Sequence, residues 1–123
     1  MTFIEPSGTI SAKSRGKIDL EVELEIDRGH KPPTFFRVVY TPVTKPTQVA
    51  MEANVKPHCI RNNKHVYRST ARVPHYVGTY RLRADAIYIL NVSEEHPGTL
   101  KDVLVPEEVR LSGWGPTVEV RKK

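Results

Sequence analysis

Lys17-Ile-Asp-Leu-Glu-Val-Glu-Leu-Glu-Ile-Asp27 alternates without a break: Ile18, Leu20, Val22, Leu24 and Ile26 are aliphatic, while Asp19, Glu21, Glu23, Glu25 and Asp27 are acidic. A β-strand sends successive side chains to opposite faces, so this stretch has one aliphatic and one acidic face. A helix would spread both sets around its circumference. Five carboxylates at two-residue spacing repel one another, and a neighbouring strand carrying positive charge relieves them. The rest of the chain is read for that neighbour.

The 123 residues are expected to form one domain, long enough to bury a core without disulfides or metal. Hydrophobic residues are 38% and charged residues 27%, a globular balance. Ten prolines and seven glycines cut the chain into short segments, which favours many strands. The net charge of +5 permits an acidic partner, although fourteen acids temper it. One cysteine, Cys59, excludes an intrachain disulfide and points to a reducing compartment, the cytoplasm. No apolar run is long enough to span a membrane, and no signal-peptide pattern is present.

Working outward, Thr9-Ile10-Ser11 reads as a short edge strand between the turns Pro6-Ser7-Gly8 and Ser14-Arg15-Gly16. After the acidic strand, residues 27 to 33 form a loop. Thr34 to Thr41, apolar on both faces, reads as a central strand. Gln48 to Val55 is a weaker one. Residues 53 to 84 hold Lys56, Arg61, Lys64, Arg68, Arg72, Arg81 and Arg83 and no acid. Within them, 56 to 64 reads as a loop turning at Asn62-Asn63, His65 to Val73 as a strand and Pro74 to Gly78 as a turn. Thr79 to Leu90 is the second clear strand, with Tyr80, Leu82, Ala84, Ala86 and Tyr88 inward. Ser93 to Gly98 is turn-like, Pro106-Glu107-Glu108 suits one helical turn, Gly113 to Pro116 a tight connection, and Thr117 to Arg121 a last strand. Arg68 and Arg72 are the expected basic neighbours of the acidic face, and Arg81 and Arg83 are expected to face Glu119. About seven short strands with Pro/Gly turns predict an all-β fold, a two-sheet antiparallel β-sandwich.

Val73-Pro-His-Tyr-Val-Gly-Thr-Tyr-Arg-Leu-Arg-Ala84 resembles the tyrosine-corner segment of immunoglobulin-like and fibronectin type III-like domains, with Gly78 and Tyr80 at the corner positions and Leu82 where antibody domains carry a cysteine. The resemblance implies an immunoglobulin-like topology in which the Tyr80 hydroxyl bonds upstream backbone. The cysteine pair and core tryptophan of antibody domains are missing, and Phe36 is the expected substitute for the tryptophan.

The chemistry-bearing residues are few. Arg61, Lys64, Arg68, Arg72 and Arg81, with Tyr67 and Tyr76 interleaved, suit a phosphate-contacting, base-stacking surface; structurally, Arg68 and Arg72 serve to neutralise the acidic strand, Arg81 and Arg83 form a solvated face, and Arg61 and Lys64 lie in the loop away from the acidic strand. Trp114, between two glycines, suits a partner or sugar platform, or else a core cap. His58, Cys59 and His65 are too poorly spaced for a zinc site, since adjacent side chains on an extended chain diverge. No nucleophile has a base and an orienting third group, so neither catalysis nor a cofactor is expected. Asn91-Val92-Ser93 matches a glycosylation sequon, of consequence only in a secretory protein. The leading expectation is a non-catalytic accessory domain that binds protein. Nucleic-acid or other polyanion binding through residues 56 to 83 stands second, and carbohydrate binding third.

Overall fold

The computed structural model describes residues 1–89 and 107–122. Eight strands follow in order: β1 (Thr2–Glu5), β2 (Ile10–Lys13), β3 (Lys17–Glu25), β4 (Phe35–Pro42), β5 (Met51–Arg61), β6 (Lys64–Arg72), β7 (Gly78–Ile89) and β8 (Glu107–Arg121). The described residues contain no helix, hence none able to cross a membrane. The protein is all-β, as expected. The expected seven-stranded, two-sheet antiparallel sandwich is corrected to one curled mixed sheet in the order β1-β3-β6-β5-β4-β7-β8-β2. Two features make the difference. β2 runs parallel to β8, and β5 is continuous, pairing with β4 through Met51–Val55 and with β6 from Lys56 onward.

The alternation in β3 acts as its pattern demands. Leu20 and Val22 are fully buried, Leu24 nearly so, and the curl closes over them with Phe36, Tyr40, Leu82 and Val118. β4 is central, between β5 and β7. Its second face is covered too, because Val39 is as buried as the core-facing Val38. Phe36 packs edge-on against Tyr67, ring centroids 4.8 Å apart, in the interior role expected for it.

Residues 56 to 64 are no loop. The β5–β6 turn is Asn62-Asn63 alone, with φ of 52° and 63°. Both values are left-handed, a conformation asparagine tolerates better than most residues, and they give the two-residue hairpin that matches strand twist. Drawing Lys56–Arg61 into the ladder brings Arg61 to the acidic strand.

Gly113 to Pro116 is no tight connection either, and Glu107 and Glu108 form no helical turn; both segments lie in β8. Gly113 pairs with Ala84, a core residue, so Gly113 and Gly115 face inward and Trp114 outward. A Cβ on Gly115 would stand 2.5 Å from the Phe3 ring, and one on Gly113 would strike the Met1 side chain. The two glycines therefore admit β1's apolar side chains across the curl. β1 itself carries no turn or alternation signal long enough to have been read as a strand. Leu90, Ser93 to Gly98, the Asn91 sequon and Pro106 lie outside the described residues.

Candidate functional site

The acidic and basic rows meet on the outer face of β3, β6 and β5. Glu21 lies opposite Arg68. Arg68 donates to Glu21 at 3.1 Å and to Asp19 at 3.2 Å, Arg61 donates to Glu21 at 3.2 Å and Glu23 at 3.3 Å, and Lys64 lies 3.3 Å from Glu23. Thr70 completes the row with a 2.8 Å bond to Asp19. Glu21 is only 5% exposed. Burial acts to raise its pKa, but the hydrogen bonds and charges of Arg61 and Arg68 outweigh it and hold the carboxyl below its ordinary value. The same bonds to Glu21 and Glu23 raise Arg61 further. The row is an ion-pair network with each cation committed to a carboxylate.

That network answers where the basic candidates go. Arg61, Lys64 and Arg68 are gathered, but around acids. Arg61 and Lys64 thus do not stand apart from the acidic strand in a loop. Arg72 is exposed and lies opposite Lys17, so it neutralises no acid of β3. Tyr76, the most exposed large hydrophobic among the described residues, sits in the β6–β7 turn, edge-on to His75, with its carbonyl accepting the Tyr80 hydroxyl. Cys59 is exposed, and among the described residues no three His, Cys, Asp or Glu side chains gather as metal ligands.

Trp114 stands on a different face, the outer side of β4, β7 and β8. The register places Arg83 opposite Trp114 and Arg81 opposite Thr117. The expected pairing of Arg81 and Arg83 with Glu119 does not occur; Glu119 lies opposite Thr79 and bonds Arg121. The Arg81 guanidinium instead lies 4.6 Å from the Trp114 ring centroid, and that of Arg83 5.8 Å. Arg83 is held by two 3.0 Å bonds to Asp85. Arg81 has no carboxylate partner among the described residues. Its backbone carbonyl is fixed by the Thr41 hydroxyl at 3.2 Å.

Trp114, Arg81, Thr41, Pro42, Val43 and Pro46 line a recess of about 140 Å³. Pro42 and Val43 also wall a wider recess of about 530 Å³ that continues past Val77, Gly78 and Thr79. The two form one groove beside the start of β7. Its apolar side chains are open to solvent: Trp114 is 47% exposed, Val43 50% and Val77 61%. Trp114 was legible as a candidate, and Arg81 only as a member of the basic block, either phosphate-contacting or a solvated face. Pro42 and Pro46 read as bracketing a loop. The one available signal was Trp114's outward position between two small residues, which requires Gly-Trp-Gly to be read as strand. No protein-family model and no curated protein matches the chain.

Proposed function

We propose that the chain is a non-catalytic, immunoglobulin-like accessory domain that binds another protein through the Trp114 groove. Support for the immunoglobulin-like reading is the connectivity. An N-terminal segment divides between the two borders of the sheet, a middle strand changes partners along its length, and a tyrosine closes the corner before the penultimate strand. Architecture alone carries no function, so the functional reading rests on the site.

The single observation that carries it is the half-exposed Trp114 held under Arg81 beside an apolar recess. Tryptophan and arginine are the side chains that most often anchor protein interfaces, and here stacking already restrains both. Polyanion binding has weaker support, because Arg61, Lys64 and Arg68 are engaged by Asp19, Glu21 and Glu23. A sugar ring would compete with Arg81 for the Trp114 face over which its guanidinium lies.

The test immobilises the wild-type domain and a Trp114→Ala variant of matched circular dichroism and Tm, and compares the proteins each retains from an extract of the source cells. Partners enriched by the wild type over the variant are expected. Equal retention overturns the assignment. So does submicromolar binding to heparin or single-stranded nucleic acid that falls steeply with salt.

A further inference from the structure

We infer that the groove takes an extended peptide segment bearing an acidic side chain, whose carboxylate docks on Arg81 while apolar side chains on one side of it enter the two recesses in turn. This deepens the proposed function and rests on it.

The charge argument comes first. Arg37, Arg61, Arg68, Arg83, Arg110 and Arg121 each pair with a carboxylate of the chain itself. Arg81 does not, among the described residues, yet it is more constrained than a free surface arginine. Its guanidinium carbon lies 4.6 Å over the Trp114 ring, and among the described residues its N–H groups make no side-chain hydrogen bond or ion pair, so they are available. Those are the donors that match a carboxylate two at a time. A restrained, uncommitted guanidinium in a protein of net charge +5 complements one negative charge. A phosphate group, which carries more charge, calls for further cations. Arg83, the nearest, is already bonded to Asp85.

Shape supplies the second argument. The recess at Pro42, Val43 and Pro46 adjoins Arg81, and the wider one at Val77 and Thr79 lies beyond their shared wall. In an extended peptide, alternate side chains fall on one side at a spacing of roughly 7 Å. A pattern of one acidic and two apolar residues at alternate positions, in either chain direction, therefore matches a carboxylate on Arg81 with two apolar seats in line beyond it.

Trp114 is the sole tryptophan, so its fluorescence reports on the groove directly. The probe is an acetylated, amidated Ala-Leu-Ala-Leu-Ala-Asp-Ala-Leu-Ala-Leu-Ala peptide, which offers two apolar seats in line on either side of the acid, titrated against the whole chain, with the same peptide carrying Asn for Asp as its neutral counterpart. The expected result is a saturable change in Trp114 emission with the acidic peptide. Binding should weaken roughly tenfold for the neutral peptide, and by a similar factor for Arg81→Gln, as loss of a charged hydrogen bond requires. Arg72→Gln, an exposed arginine elsewhere, should bind as the wild type does. Equal affinity for both peptides, no saturation by the acidic one, or unchanged affinity in Arg81→Gln each overturns the inference. If any of these occurs while Trp114→Ala still abolishes partner retention, the groove remains a protein-binding site and only its ligand chemistry is wrong. If retention is also unaffected, the proposed function falls with it.

Discussion

The Tyr80 hydroxyl donates a 2.7 Å hydrogen bond to the backbone carbonyl of Tyr76, tying the start of β7 to the turn that feeds it. The ring is buried among the core side chains, so hydroxyl and ring make separable contributions. Tyr80→Phe should cost about 1 kcal/mol, and Tyr80→Ala about 3 to 5 kcal/mol, in urea unfolding. An unchanged midpoint in Tyr80→Ala would remove the corner from the account of this fold.

Tyr40 provides the contrast. Its ring is fully buried, and its hydroxyl has no hydrogen-bond partner among the described residues. Burial pushes its pKa far above the ordinary tyrosine value, so it folds as the neutral phenol. A buried hydroxyl without a partner costs stability. Tyr40→Phe should therefore be neutral or stabilising by up to about 1 kcal/mol, where the same substitution at Tyr80 destabilises.

The charge row gives a coupled prediction. A double-mutant cycle on Glu21 and Arg68 should return a coupling of about 1 kcal/mol, at the upper end for cross-strand ion pairs because Glu21 is buried. Glu21 also fixes a pH dependence. Its folded pKa is lowered, so its stabilisation is fully present above its unfolded value of about 4.3 and is lost as pH falls through the folded value. The Tm gap between wild type and Glu21→Gln should thus be widest near neutral pH and narrow in acid. A gap that widens in acid would contradict the lowered pKa.

The inward glycines of β8 make unequal demands. Gly115→Ala drives a methyl into the Phe3 ring, a large side chain packed against the core, and should cost about 1 to 3 kcal/mol. Gly113→Ala meets only the flexible end of Met1 and should be milder. Thermal unfolding of the two variants side by side checks the order.

Much of the fold was legible because it depends on backbone period. The alternation of 18 to 26, and that of Tyr80 through Tyr88, follows from strand geometry whatever the partner. The β3–β6 pairing followed from charge, since a row of acids needs cations opposite. What resisted reading depends on pairing at a distance. Pro57, His58 and the basic residues around them read as loop, and only their place in β5 between β4 and β6 makes them strand. Gly113 and Gly115 read as turn because their reason for being small is Phe3 and Met1, more than a hundred residues earlier. The groove was illegible for the same cause: Trp114, Arg81 and Pro42 share a wall only once β4, β7 and β8 lie side by side.

The opening of the chain occupies both borders of the sheet. β1 ends one side against β3, β2 ends the other against β8, and only residues 6 to 9 separate them. A single proteolytic cut that released this stretch would uncover Glu21–Glu23 on one border and Val118–Arg121 on the other together. One bare strand permits a molecule to pair once and stop; two give it the valence of a link in a chain. The first thirteen residues thus act as a clasp that covers part of both borders of the sheet at once.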